Sequence, residues 1–189
     1  MNEKRPYRLG RRAERQAETR QRIVQSAVEL HTTLGPGSTS ISAVAERAGV
    51  QRHTVYAHFP DEGALFTACT AHWRELHPFP EPADWEEITD PAERLRSALG
   101  AIYAWYAEVE HAFALFLRDA DRYPPFWEAR RVHLAEIADG LARGLPRRKA
   151  VRAVIGHAME FETWRSLVRT QGLSESAAID LVVRLVETG

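Results

Sequence analysis

Helical spacing of the apolar residues is the feature that most constrains this chain. Between glycine and proline breaks, apolar residues recur at intervals of three and four, which places them on one face of an α-helix. Two-residue alternation and Asn-Gly turns, which mark strands and hairpins, are absent from the sequence. We therefore predict an all-α fold with about nine helices. The pattern is seen in Ile23, Ala27, Leu30 and Leu34, in Ile41, Val44, Ala45 and Ala48, and in Leu95, Leu99, Ile102, Tyr106 and Val109.

Glycine and proline clusters divide this helical pattern into segments. We predict a three-helix head over residues 17–60, followed by a connector helix over 61–76. A basic arm over 1–16, expected to be disordered, precedes the head. An irregular linker over 77–90 leads into a longer helical bundle over 91–189, whose last two long helices are expected at 147–171 and 174–187.

Composition excludes several classes of protein. A single cysteine rules out a disulfide framework and a multi-cysteine zinc site. No apolar run reaches the roughly 18 residues that a membrane span needs. The charged first fifteen residues lack the hydrophobic region of a secretory signal, so we expect a cytoplasmic protein.

Charge is unevenly distributed along the chain. Residues 1–60 carry ten Lys and Arg against five Asp and Glu, whereas residues 61–189 carry fifteen against twenty-one. A basic head on an acidic body favours a polyanion-binding head. An ordinary fluctuation in a soluble protein would give the same counts.

Residues 38–59 carry the strongest local signal. Thr39 or Ser40 can cap a short helix from Ile41 to Ala48. Gly49 then stands where a left-handed turn ends that helix. A second short helix begins near Arg52, and two helices joined by a tight glycine turn are typical of a helix-turn-helix.

The second helix of such a motif lies in the major groove of DNA. Its polar face here is suited to that role, because Arg pairs with guanine and Thr, Tyr and His can contact phosphates. Val55 and Phe59, four residues apart, would anchor the opposite face in the core. The predicted DNA-binding residues are Thr39, Ser40, Gln51, Arg52, His53, Thr54, Tyr56 and His58.

The order and spacing of these residues resemble the DNA-binding head of the tetracycline-repressor (TetR) family of bacterial regulators. The resemblance covers roughly residues 17–76 and rests on Thr39-Ser40-Ile41, Val44-Ala45, Ala48-Gly49-Val50, Thr54-Val55-Tyr56, His58-Phe59 and Leu65. It implies a ligand-binding and dimerisation domain after the head. It also implies a homodimeric repressor that a small apolar or aromatic effector releases from a palindromic operator in double-stranded DNA.

Two positions depart from the family pattern. Gln51 stands where the family most often has Ser, and it is a poorer helix cap. Asp61-Glu62-Gly63 stands where the family often has a basic residue. Acidic residues suit a helix N-terminus but cannot clamp a phosphate. The arm, with a net charge of +4 over fifteen residues, could contact phosphates instead, or could be a solvated tail.

Aromatic residues concentrate after the linker and allow two interpretations. Most would fill the bundle core, but some could line a cavity for a flat or apolar effector. His157 and Phe161, four apart, are expected to share a helical face with Trp164. The candidate effector residues are Tyr103, Tyr106, Phe113, Phe116, Trp127, His157, Phe161 and Trp164.

The last two helices are the candidate dimer interface. Reading a palindrome requires two heads, and therefore two subunits. Apolar stripes on these helices could form a four-helix bundle with a second copy, or could pack only within one subunit. The stripes comprise Val151, Ile155, Ala158, Leu181, Val182 and Leu185.

Other kinds of site find little support in the sequence. No His-Glu-x-x-His run, glycine-rich phosphate loop or nucleophile motif is present, so we expect no metal, no cofactor and no enzymatic activity. Cys69 fits an apolar helical face as a small hydrophobic residue. Two alternatives are a helical interaction protein, whose arm binds a membrane surface or an acidic partner, and an enzyme using the aromatic cavity.

Overall fold

The fold is all-helical, as predicted. The computed structural model of the chain describes residues 4–146 and 149–188, and within these ranges it contains no strand. A π-helical stretch, Arg165–Thr170, continues the eighth of its nine α-helices. The helices are α1 Lys4–Thr33, α2 Ile41–Ala48, α3 Arg52–His58, α4 Glu62–Leu76, α5 Pro91–Arg118, α6 Pro124–Leu141, α7 Lys149–Ala158, α8 Phe161–Trp164 and α9 Glu175–Thr188.

The chain forms two compact units. The first unit comprises Met1–Pro78 and His111–Tyr123, and the second comprises Phe79–Glu110 and Pro124–Gly189. The last turns of α5 therefore belong to the first unit and the rest of that helix to the second. None of the described helices is long and apolar enough to cross a bilayer.

The first unit is built on α1, α2, α3 and α4. Its core contains the predicted stripe of α2, together with Val55 and Phe59 from α3 and its C-terminal cap, and Phe66, Cys69 and Trp73 from α4. The predicted stripe of α1 is buried at Ile23 and Ala27 only, because Leu30 is half-buried and Leu34, after the end of α1, is 49% exposed. The last turns of α5 and the segment after it add aromatic contacts. Tyr123 stacks on Phe66 with ring centroids 3.6 Å apart, and Phe116 meets Trp73 edge-on at 5.2 Å.

The helix α1 begins earlier than the sequence suggested. The expected disordered arm over 1–16 is wrong from Lys4 onward, because α1 runs unbroken from Lys4 to Thr33. Pro6 falls in the first turn of this helix, where the missing N–H would have no partner in any case. Residues 1–3 of the arm, and the side chains of residues 4–9, lie outside the described part.

In the second unit the expected helix over 147–171 is interrupted. Residues 147 and 148 lie outside the described part, and α7 ends at Ala158. The Tyr103 hydroxyl donates to the Ala158 carbonyl at 3.1 Å, and the Tyr106 hydroxyl donates to the Met159 carbonyl at 2.7 Å. Because these buried tyrosines satisfy carbonyls that a helix end leaves free, the chain can turn at Met159 and Glu160 before α8 begins.

Most of the predicted dimer stripe is internal. Val151, Ile155, Ala158 and Val182 are buried within the subunit, so they cannot meet a second copy. On α9, Leu181 is half-buried and Leu185 is 51% exposed. The prediction that all six residues form an interface is therefore wrong for four of them.

Candidate nucleic-acid interface

The turn between α2 and α3 is fixed by local hydrogen bonds. Ser40 caps α2, its hydroxyl accepting from the Ala43 N–H at 3.1 Å. Gly49 adopts the left-handed region with φ 67° and ψ 36°. The Val50 N–H then donates back to the Ala45 carbonyl at 2.9 Å. A left-handed residue is strained unless it is glycine, so Gly49 sets the angle at which α3 leaves the turn.

The helix α3 has one buried and one exposed face. Val55 is fully buried and Phe59 nearly so, which anchors α3 and the residue after it. The predicted contact residues divide by exposure: Ser40, Gln51, Arg52, His53 and Tyr56 are exposed, whereas Thr39, Thr54 and His58 are half-buried. Gln51 precedes the helix without a side-chain capping bond. The Thr39 hydroxyl donates to the Gly35 carbonyl at 2.8 Å.

Arg52 and Tyr56 form a pair on the exposed face. The Arg52 guanidinium donates to the Tyr56 hydroxyl at 3.2 Å and lies 5.6 Å from the tyrosine ring centroid. These residues stand four apart, one above the other along the helix. The contact with Tyr56 holds the planar guanidinium of Arg52 at the surface of α3. Its other N–H groups are available to an acceptor such as the edge of a guanine base.

Arg118 and Asp119 hold the turn before α2, a contact that sequence reasoning missed. The Asp119 carboxylate accepts from the Gly37 N–H at 2.7 Å, and Arg118 donates to the Leu34 carbonyl at 3.0 Å. The neighbouring Arg118 guanidinium also holds the pKa of the Asp119 carboxyl below its usual value. A Cβ on Gly37 would lie 2.8 Å from the Asp119 carboxylate, so a larger residue there would displace this carboxylate.

A further basic residue lies beside α3. The Arg20 guanidinium of α1 sits 4.9 Å from the Phe59 ring centroid, and Arg20 is exposed. In the sequence, only the net basic charge of the region indicated a role for Arg20, because the proximity of Arg20 to Phe59 depends on how α1 packs. Asp61, where the family often has a basic residue, caps α4 by accepting from the Ala64 N–H at 2.7 Å. The expectation that α4 would form behind an acidic start is confirmed.

A buried polar pair lies behind the motif. His31 on α1 and Cys69 on α4 are both buried, with the histidine Nδ1 3.2 Å from the cysteine Sγ. Burial lowers the pKa of His31 to about 4, against a smaller opposing effect of the Asp119 charge. Burial raises the pKa of Cys69 to about 12, so the thiol stays protonated.

The candidate effector residues do not come together as the sequence suggested. Phe113 and Phe116 belong to the first unit, and Trp127 is half-buried in the second. His157 is exposed, beside the Thr163 hydroxyl. Because α7 ends at Ala158, the predicted shared face of His157 and Phe161 is wrong.

Four of the candidates form one cluster. Tyr103, Tyr106, Phe161 and Trp164 are all buried in the second unit, and Tyr106 lies 5.3 Å from Phe161 and 5.8 Å from Trp164 between ring centroids. Tyr106, Phe161 and Trp164 pack on one another within this core. A cavity of about 120 Å³ in the same unit is lined by other residues.

Comparison with known proteins identifies the first unit. Residues 23–69 match the model of the bacterial regulatory proteins of the tetR family. The chain is 40% identical over 60 residues to the HTH-type transcriptional regulator AcrR of Shigella flexneri. This match covers 31% of the chain and spans only 28% of the length of AcrR.

Solved structures resemble the chain over most of its length. A TetR-like transcriptional regulator from Rhodococcus sp. RHA1 superposes with a TM-score of 0.65 at 19% identity, covering 89% of this chain and 93% of that one. AibR, solved in complex with isovaleryl coenzyme A and operator DNA, gives a TM-score of 0.65 at 16% identity, covering 89% and 98%. The helix-turn-helix and the family match show that residues 23–69 form a DNA-binding head of the tetR family of bacterial regulatory proteins, and the solved structures show that the chain shares the fold of TetR-like regulators over most of its length.

Proposed function

We propose that this chain is a ligand-responsive repressor that binds a palindromic operator as a homodimer. The observation that carries the proposal is the α2–turn–α3 motif, which lies inside the matched segment and exposes Arg52, His53 and Tyr56 on one surface. In this arrangement α3 enters the major groove and α2 crosses the phosphate backbone. Arg20 and the exposed arginines of α1 supply positive charge for phosphate contacts.

Selection from a random duplex library tests the DNA-binding part. We expect the purified chain to enrich a palindrome whose half-sites are centred about one helical turn, or a multiple of it, apart. Enrichment of a non-palindromic sequence would contradict the dimer, and no enrichment at low ionic strength would contradict DNA recognition altogether.

The outer face of α9 supports the dimer proposal. Leu181 and Leu185 stand four residues apart on one face, and half of the Leu185 surface is exposed. In a two-fold interface this face of one subunit meets the same face of the other subunit. Each apolar residue of the face therefore becomes buried in both subunits. The internal residues Val151, Ile155, Ala158 and Val182 take no part in this interface.

Leu185→Glu is expected to convert the dimer to a monomer. Two buried leucines are lost and two carboxylates are brought together, which raises the dissociation constant by at least about 100-fold. Sedimentation equilibrium over a concentration series measures it. Val132→Glu, at an exposed position on α6, is the matched control and should leave the dimer intact. A Leu185→Glu protein that dimerises as tightly as the wild type would contradict this interface.

The aromatic cluster of the second unit supports a place for the effector. The Trp164 indole N–H is buried and has no hydrogen-bond partner among the described residues. A buried donor without an acceptor costs about 1–3 kcal/mol, which a ligand oxygen would recover. The π-helical stretch begins directly after Trp164, and such stretches are frequent at functional sites. We therefore propose an apolar or aromatic effector that carries an acceptor oxygen and separates Tyr106, Phe161 and Trp164. That the effector also contacts Phe113, Phe116 and Trp127 stays a prediction.

Release of the selected operator tests the effector. The probes are isovaleryl coenzyme A, octanoate and indole-3-carboxylate, each titrated into the operator complex. Trp164→Phe keeps the ring packing and removes the N–H, so it should weaken release several-fold while operator affinity is unchanged. Release by none of the probes at millimolar concentration, or equal release of the variant, would contradict this effector site without affecting the DNA-binding proposal.

A further inference from the structure

We propose that the second unit holds a binding site for a small zwitterion, a molecule that carries both a carboxylate and an ammonium group. The site is the cavity of about 120 Å³ where the segment around Pro82 meets the start of α5 and the end of α6. It is separate from the aromatic cluster, and the inference does not depend on DNA binding.

Arg94, near the start of α5, lines this cavity and carries one buried donor without a partner among the residues described. Its Nη1 donates to the Ile88 carbonyl at 2.9 Å, and its Nη2 donates to the Arg143 carbonyl. Its Nε is buried and has no hydrogen-bond partner in the described part of the chain. The guanidinium is rigid and its Nη1 and Nη2 are both hydrogen-bonded to the backbone, so the Nε–H cannot rotate towards another acceptor. A ligand oxygen in the cavity would satisfy it, and a carboxylate does so most strongly.

Charges of both signs line the rest of the cavity. Arg143 adds a second guanidinium, and Glu86 and Glu136 add two carboxylates. All three are exposed at its rim. A simple anion would be repelled by the glutamates, and a simple cation by the arginines. A molecule with one group of each sign complements both pairs.

The remaining wall and the volume limit the body of the ligand. Trp85 and Ile137 are almost fully buried and, with Pro82, give the cavity an apolar side. Tryptophan is also the aromatic residue that attracts an ammonium most strongly. The volume is about ten times the ~10–15 Å³ that a single water needs, but well below the ~300 Å³ of the smallest drug-sized pockets. A free amino acid or a small betaine fits these limits.

Titration calorimetry with the full chain tests the proposal. The probes are L-alanine, L-proline and glycine betaine, with acetate and methylammonium as the single-charge controls. We expect saturable binding of at least one zwitterion and weaker or no binding of both controls. Binding of none of the zwitterions at millimolar concentration would overturn the site, and acetate binding as tightly as the best zwitterion would overturn the ligand class.

A charge variant assigns the binding to this cavity. The double variant Glu86→Gln, Glu136→Gln changes two exposed side chains and leaves the bonds of Arg94 to the backbone in place, so it is expected to fold. It should bind the zwitterion about fivefold to tenfold more weakly and acetate more tightly. Glu187→Gln, an exposed position on α9 away from the cavity lining, is the control. Unchanged zwitterion binding in the double variant would overturn the assignment.

Discussion

Arg52→Ala is expected to weaken specific operator binding strongly while leaving the dimer intact. A bidentate contact between arginine and guanine discriminates strongly against the wrong base, and a palindrome loses one such contact in each half-site. The expected loss of operator affinity is therefore roughly 30-fold to 20,000-fold, measured by fluorescence anisotropy at fixed salt. Binding to random duplex should change little, since phosphate contacts elsewhere persist.

Two variants separate the roles within this pair. Tyr56→Phe removes the hydroxyl that accepts from Arg52, so the guanidinium is less fixed and affinity should fall only a few-fold. Arg131→Ala removes an exposed arginine on α6 that pairs with Glu128, and should have no effect. Full operator affinity in Arg52→Ala would mean that α3 does not read the operator through this side chain.

Acid is expected to destabilise the first unit through His31. The pKa of this buried histidine is about 4, below its ordinary value of 6.5, so protonation favours the unfolded chain. Its contribution to stability is fully present above about pH 6.5 and is lost as pH falls towards 4. Between pH 7.5 and pH 4.5 this amounts to about 2–3 kcal/mol.

Comparison with His31→Leu isolates that contribution from the titration of carboxylates. Urea unfolding, followed through the signals of the first unit, should show a wild-type loss of stability between the two pH values that exceeds the loss in the variant by about 2–3 kcal/mol. His53→Leu, at an exposed position on α3, should behave as the wild type. Equal pH dependence of wild type and His31→Leu would show that His31 is not kept neutral by burial.

The helix-turn-helix could be predicted from the sequence because its signals are local. The Ser40 cap and the left-handed Gly49 act within four residues, and Val55 with Phe59 marks the buried face at helical spacing. Each of these features depends on backbone geometry that neighbouring residues determine.

Features set by distant residues could not be predicted. The end of α7 depends on tyrosine hydroxyls more than fifty positions earlier in the chain, while the apolar spacing continues past Met159 as if the helix did. The contact of Asp119 with Gly37 joins residues 82 apart. Likewise, periodicity marked Val182 and Leu185 alike as apolar, but only packing shows that the first is buried and the second exposed.

Methylation interference on the selected operator tests most directly whether α3 reads the major groove. Guanine N7 lies in that groove, so its methylation blocks an arginine contact there. The account predicts that methylation of one guanine in each half-site prevents wild-type binding, and that Arg52→Ala, in its residual binding, is insensitive to the same methylation. Interference confined to adenine N3, in the minor groove, or the same guanine interference in Arg52→Ala, would contradict it.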